Sequence, residues 1–529
     1  MPQQKKSENS QVARAAGTVS IATMMSRVFG LARDMVIAAF FGAGWKTDAF
    51  WIAFRIPNML RRIVAEGSFT ISFVPVFTEY LQKRSKKEAL ELASAAFTLL
   101  SIVLVIITVL GILLSPVIVG LIAPGFIKDP AQFSLAVFLN RLMFPYIFFI
   151  GLVALCMGIL NSLRHFIVPA LSPVILNIAM IGAAFALRNL FAEPITVLAV
   201  GVLIGGILQL LMQWPVLVKY GAKLKFKINF QHPGIRQISV LLLPAIFTAS
   251  VNILNVFIGS ILASLLPSGS VTYLFYADRV MELPIGVFAL AVGTATLPSF
   301  SRHAANDNID ELKSSISFSL RITFFVVVPA MAALMMLSQP IISVLFQRGA
   351  FDAHAAVLTG QALFYYSLGL WAFAVIRLFI TSFYSLQDSK WPMKAAIVSF
   401  VINVTASLIL MHPMKHNGLA LAGSLAVTAN VLILMLVLKN KIGNFLDGVF
   451  YASLSKIIIS SVVMMAAIHA VGYWMPWNIA ADFPQRLLYL GVCIFTGTGV
   501  YFVTAYFMKS PEIHALVNVA KRQLGRPPG

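Results

Sequence analysis

Runs of apolar residues long enough to cross a bilayer recur from residue 17 to residue 508, separated by short polar stretches. An α-helix rises about 1.5 Å per residue, so roughly 20 such residues span a hydrocarbon core. The pattern predicts helices near 17–41, 47–80, 92–122, 132–160, 166–187, 194–218, 237–265, 271–300, 314–346, 355–385, 393–411, 418–438, 452–474 and 487–508. The expected fold class is an all-α polytopic membrane protein with 14 transmembrane helices.

A shift of 223 residues brings parts of this pattern onto each other: Val74-Pro75-Val76-Phe77-Thr78 falls on Leu297-Pro298-Ser299-Phe300-Ser301, Ser162-Leu163 on Ser385-Leu386, and Pro169 on Pro392. Six predicted helices separate the matched points. An even number leaves the two copies in the same orientation, related by an axis along the membrane normal. The expected organisation is a cytoplasmic tail (1–16), a six-helix lobe (17–218), a basic linker (219–236), a second pseudo-twofold-related lobe (237–440), two additional helices (441–508) and a second cytoplasmic tail (509–529).

Composition sharpens this picture. The chain of 529 residues is 59% hydrophobic and 11% charged, with a mean hydropathy of +0.88, whereas soluble domains are about 25% charged. A net charge of +20 raises the question of nucleic acid, but the placement of the charges answers it. Alternate loops carry 23 and 6 Lys and Arg, so the basic residues are topology signals that put both termini in the cytoplasm, and no nucleic-acid partner is expected. The two cysteines, Cys156 and Cys493, sit in apolar runs without metal or redox spacing.

Ten basic residues lie inside the spans. Five of them fall between Met24 and Glu66, in Ser26-Arg27-Val-Phe-Gly-Leu-Ala-Arg33-Asp34 and Thr47-Asp48 to Arg55-Ile-Pro-Asn58-Met-Leu-Arg61-Arg62. A charge at mid-bilayer costs about 2.5–3.5 kcal/mol on insertion scales, so such groups face protein or water and mark function. Arg27 and Arg33, within two turns, are placed close to one face, and Arg55 and Arg62 on one stripe. Asp34 can neutralise Arg33 and Glu66 can pair with Arg62, which still leaves positive charge over. A hydrated cationic cavity for an anion follows, with Arg27, Arg33 and Arg61 as ligands, since guanidinium forks suit phosphate oxygens, and Ser26 and Asn58 as polar supports. Asp48 reads equally as a helix cap or as an outer gate.

In the eighth span Tyr276-Ala-Asp278-Arg279-Val-Met-Glu282 holds a second charged group. It is either an internal ion pair or a second contribution to the cavity, with Arg279 as ligand and Asp278 or Glu282 orienting it or gating. The interleaved Lys223, Lys225 and Lys227 with Phe226 and Ile228 suit either a headgroup layer or a plain topology-setting loop. Gln387-Asp388-Ser389-Lys390 reads as a turn, and Ser510-Pro511-Glu512 as the start of a short interfacial helix. There is no Gly-Lys dipeptide, hence no ATP-binding phosphate loop, and no HExxH. Movement of a substrate fits better than bond breaking: no catalytic residue, metal or cofactor is expected.

At these residues the chain closely resembles the MurJ/MviN family of lipid II flippases, in the superfamily that also holds multidrug and toxic-compound extruders. The resemblance runs from Val19 to Met508 and rests on Ser26-Arg27 to Arg33-Asp34, Thr47-Asp48-Ala-Phe, Pro57-Asn58-Met-Leu-Arg61-Arg62, Glu66-Gly-Ser-Phe, Tyr276-Ala-Asp278-Arg279 and Tyr384-Ser-Leu-Gln-Asp388. It implies lobe-facing arginines at Arg27, Arg33, Arg61 and Arg279, gate or support positions at Asp48, Asn58, Glu66 and Glu282, and a lipid-tail groove on helices thirteen and fourteen. It further implies a bacterial inner membrane, lipid II and membrane lipids as partners beside the peptidoglycan synthesis machinery, and alternating access open to coupling with the membrane potential. Sodium coupling stays open, because the seventh span offers Asn252 and Asn255 but no carboxylate. A cation-drug antiporter, a flippase for another polyprenyl-linked glycan, and a scaffold or lipid transferase are the competing readings.

Overall fold

Polar residues at the ends of the apolar runs fix where the helices start. In the computed structural model, which describes the backbone of residues 2–61, 69–229, 231–305 and 308–513, Ser85 accepts a hydrogen bond from the Glu88 amide and opens α4. Asp129, followed by Pro130, accepts from the Ala131 and Gln132 amides and opens α6. These caps satisfy amides that have no partner inside the helix. Residues 2–264 supply α1 (Pro2–Phe41), α2 (Trp45–Arg61), α3 (Phe69–Lys83), α4 (Lys86–Leu113), α5 (Ser115–Ile122), α6 (Pro130–Met143), α7 (Tyr146–Ser162), α8 (Ile167–Leu187), α9 (Thr196–Lys219) and α10 (Pro233–Ser264). The rest supplies α11 (Ser270–Ala305), α12 (Ile309–Met336), α13 (Ser338–Phe346), α14 (Ala353–Ser367), α15 (Leu370–Ser385), α16 (Lys390–Met414), α17 (His416–Ile442), α18 (Gly448–Trp474) and α19 (Phe483–Phe507). Among the described residues no strand occurs.

The shift of 223 reappears in the backbone. It carries the start of α4 onto that of α12, of α6 onto α14 and of α8 onto α16. The caps follow: Ser85 corresponds to Asn308, which accepts from the Glu311 amide, and Asp129 to Asp352, which accepts from the Ala355 amide. Equivalent residues doing the same local work make the duplication a property of the structure.

Several predicted spans are broken rather than straight. The 92–122 and 314–346 spans divide at Leu114 and Leu337, each just ahead of a proline, Pro116 and Pro340. The 132–160 span divides ahead of Pro145, and α14 meets α15 at a 40° bend. Gly369 sits at that bend because a Cβ there would lie 2.8 Å from the Ser424 backbone. Nine helices among the described residues are long and apolar enough to cross a membrane, or ten with the bent pair counted as one span. The protein is thus an all-α polytopic membrane protein.

By packing, the chain forms two compact units, Met1–Thr272 and Tyr273–Gly529. In the first, α10 packs on α3, and the linker lies along α4, where Lys225 and Lys227 donate backbone amides to Ser94 Oγ (3.3 Å) and Thr98 Oγ1 (2.8 Å). Phe226 and Ile228 stay exposed. In the second, α18 and α19 share a core with α12 built from Phe325, Ile457, Met464 and Cys493. Arg486 ties α19 to the end of α13 through Ser343 Oγ (2.8 Å). Past α19 the chain is helical again at 511–513; there the expected surface helix instead sends Glu512 inward, 2% exposed, while Leu516 and Val517 lie outside the described residues. Outward faces stay apolar, as with Ile106 and Leu113 on α4 and Phe495 and Phe507 on α19, which suits lipid and not water.

Candidate functional site

Helix α1 presents its two arginines in different directions. Six residues at about 100° each turn the helix by about 240°, so Arg27 and Arg33 do not share a face, contrary to the sequence expectation. Arg27 is exposed and makes no ion pair or hydrogen bond among the described residues. Arg33 is 6% exposed and turned against α8. Its Nε and one terminal nitrogen donate to Asp34 Oδ1 (2.9 and 2.6 Å) and the other donates to Asn177 Oδ1 (3.1 Å). Asn177 Nδ2 in turn donates to the Ser26 carbonyl (3.3 Å), so Ser26 supports this tie through its backbone. The pairing with Asp34, one of the two readings its spacing allowed, is the one seen, and Arg33 here works as a buried clasp between α1 and α8.

In α2, Asn58 Oδ1 accepts from Arg61 Nε at 3.1 Å across one helical turn and steadies a partly buried guanidinium at the helix end. One turn earlier Arg55 donates to Ser260 Oγ on α10. Residues 62–68 are outside the described residues, so the expectations for Arg62 and Glu66 are outside them too.

Asp48 is 2% exposed near the start of α2. Its Oδ2 accepts from the Gly269 amide (2.6 Å), and its Oδ1 accepts from the Thr272 amide (2.9 Å) and hydroxyl (2.6 Å). The carboxylate therefore caps not its own helix but the first turn of α11, where unpaired amides and the positive helix end favour an anion.

In the second unit, Tyr276 is fully buried and stacks on Phe346 at 4.7 Å, which fixes this part of α11. Arg279, a third exposed, lies over the Phe275 ring (5.2 Å) and pairs with Glu282 at 3.2 Å. A pair this exposed is worth little in stability, ~0–1 kcal/mol, and leaves the guanidinium accessible. Asp278 is partly buried beside it and is not without partners. The structure thus groups Ser26, Arg33 and Asn177, and separately Asn58 with Arg61, and Arg279 with Glu282. Sequence reasoning missed Asn177, Ser260 and Thr272. Each is a polar residue in or beside an apolar run, a signal that such a position makes a specific contact. Among the described residues no group of three or more His, Cys, Asp and Glu side chains could hold a metal.

The sequence pattern of the lipid II flippase MurJ family matches residues 37–487. A probable lipid II flippase MurJ from Buchnera aphidicola is 35% identical over 93% of this chain and 95% of its own length. The lipid II flippase MurJ of Burkholderia cenocepacia is 34% identical over 94% and 97%. A solved structure of lipid II flippase MurJ in an inward closed conformation matches with a TM-score of 0.76 and 28% identity, covering 96% of this chain and 99% of that one. An inward-facing multidrug resistance transporter of the MATE family shares the fold at 15% identity, with a TM-score of 0.66 over 82% and 98% of the two chains. The chain belongs to the MurJ family of lipid II flippases.

Proposed function

We propose that this protein moves lipid II, the undecaprenyl-pyrophosphate-linked disaccharide pentapeptide of peptidoglycan synthesis, from the cytoplasmic to the periplasmic leaflet of a bacterial inner membrane. What carries this reading is the family match across residues 37–487. The transport is non-covalent: the chain binds and releases and does not transform its cargo. Two six-helix lobes, 17–218 and 237–440, alternate in access, with the last two spans, α18 and α19, along the lipid tail. The exposed Arg27, Arg61 held by Asn58, and the accessible Arg279 bind the pyrophosphate, while Arg33 keeps α1 in place. Asp48 closes the outer side by holding the first turn of α11, and neutralisation of the arginines by the pyrophosphate favours closure on the inner side. Outward movement of negative charge is favoured by an inside-negative potential, by about 2.3 kcal/mol per charge per 100 mV.

The test is lipid II flipping in liposomes holding only this purified chain. Wild type is expected to flip, faster with the potential imposed in the favourable sense, and Arg27→Ala, Arg61→Ala and Arg279→Ala are each expected to abolish most of the rate. A wild type that moves no lipid II overturns the function, and three variants that all keep the wild-type rate overturn the site.

A further inference from the structure

A pocket of about 470 Å³ opens in the second unit, within the range of roughly 300–1,000 Å³ that small-ligand sites occupy. It lies where α12 gives way to α13, beside α14, the first turn of α17 and the α18–α19 connection. Those ends of α12 and α17 are opposite to the ends that carry Lys313, Lys439 and Lys441. Retained positive charge marks the cytoplasmic side, so the pocket faces outward.

Its chemistry is narrow. Three amide side chains, Gln339, Gln361 and Asn417, share the wall with the rings of Tyr365, Trp477 and Tyr489, and no Asp, Glu, Lys, Arg or His lines it among the described residues. The amides are not used up on one another. Asn417 Nδ2 donates to Gln361 Oε1 at 3.1 Å, which leaves the Gln361 NH₂ and the partly exposed Gln339 amide without protein partners among the described residues, while Asn417 Oδ1 and Trp477 Nε1 are buried behind the wall. Side-chain amides at a pocket wall that keep donors and acceptors to spare offer both to a hydrogen-bonding ligand. Trp477 and Tyr489 lie 5.2 Å apart, centroid to centroid, and are tilted by 46°, which makes an apolar corner.

We propose that this pocket binds a neutral N-acetylated sugar on the outer side of the membrane. A pyranose has C–H-bearing faces that stack on aromatic rings and an edge of hydroxyls that both donate and accept, and an acetamido group is the complement of a side-chain amide. The uncharged wall gives a phosphate, carboxylate or ammonium no counter-charge. The proposal rests on lipid II as substrate, and it assigns the arriving disaccharide a holding site separate from the arginines that take the pyrophosphate.

The test uses the full chain in nanodiscs and saturation-transfer NMR with N,N′-diacetylchitobiose, cellobiose and an alanine dipeptide as probes. Expected are transfer to the acetyl methyl groups of diacetylchitobiose, affinity about tenfold weaker for cellobiose, and loss of about tenfold on Trp477→Ala or on joint Gln361→Ala and Asn417→Ala. Gln339→Ala, at a partly exposed side chain, keeps the question answerable should those variants not fold, with a loss of a few-fold expected. Equal transfer to both sugars, transfer that no variant changes, or variant-sensitive binding of the dipeptide alone overturns the proposal. Lipid II flipping by the same wild-type preparation separates the two readings. Flipping without variant-sensitive sugar binding sinks this site alone, and no flipping sinks the transport reading whatever the sugars do.

Discussion

Arg164 and Gln387 stand 223 residues apart and both turn the chain through left-handed backbone, at φ 61° and 55°. Each follows the end of a helix, α7 or α15. In both places the next amide reaches back over the last turn, from His165 to the Leu160 carbonyl (2.8 Å) and from Asp388 to the Phe383 carbonyl (2.9 Å). This is the Schellman termination, where glycine is the usual residue because it pays no Cβ penalty. Two different residues holding the same uncommon conformation at equivalent positions show that the duplicated geometry outlasts the duplicated letters.

The strain at these positions sets an expected outcome. Arg164→Gly and Gln387→Gly should keep or raise thermal stability in detergent, whereas a β-branched Arg164→Val or Gln387→Val should lose about 1–2 kcal/mol relative to the glycine variant. Equal melting temperatures for Val and Gly at either position would contradict the termination described.

Asp48 answers three donors, so its removal is not a surface change. Asp48→Ala strands the Gly269 and Thr272 amides in a buried place, at about 1–3 kcal/mol each if unrelieved by water. Thr272→Ala removes only the hydroxyl partner and should cost less. In a double-mutant cycle on melting temperature, the two changes together should cost less than their sum, since the Thr272 hydroxyl has nothing to bind once Asp48 is gone. Strict additivity would mean that the hydroxyl contact contributes nothing.

The apolar runs were legible because a bilayer admits few alternatives to a helix, and the breaks were legible in part because prolines announce them. Caps such as Ser85 and Asp129 follow local rules as well. The pairing of Arg33 with Asp34 was readable from adjacency, but its second partner, Asn177, is 144 residues away and belongs to packing. The same holds for Arg55 with Ser260 and Asp48 with Thr272. Helical spacing placed Arg27 and Arg33 together too readily, since six residues is nearer a half-turn offset than a repeat. Local rules decide what a residue can do within about one turn, and the partner of a buried charge is set by which helix arrives beside it.

Asp388 gives a pH-dependent expectation outside the spans. Its hydrogen bond with Lys441 (2.6 Å) holds the carboxyl below its ordinary value of 3.8, helped by the Trp391 and Lys390 amides and opposed by slight burial. A carboxyl depressed in the folded state contributes stability above its unfolded pKa and loses that contribution as pH falls through the folded value. Asp388→Asn should therefore melt lower than wild type at pH 7, with the difference closing below pH 3.8. A difference that stays constant from neutral to acid pH would mean the ion pair is not its source.

Glu512 holds the end of the described chain against α12 and α18 by charge. One carboxyl oxygen accepts from Ser453 Oγ (2.7 Å) and lies 3.5 Å from the Arg321 guanidinium, and the other accepts from Ser510 Oγ (2.6 Å). The carboxylate is 2% exposed and the arginine side chain 16%. Removing one member of a buried pair leaves the other uncompensated, at a cost of about 3–5 kcal/mol, so Glu512→Ala should destabilise strongly. Arg321→Ala alone should also destabilise, by stranding the acid. Replacing both with apolar residues of similar volume, Arg321→Met with Glu512→Leu, should recover much of the loss, because desolvation of the two charges then disappears together with their attraction. Thermal unfolding of the three variants decides it: a double variant no more stable than either single change would mean that the contact is held by shape and by Ser453, and not by the pairing of charge.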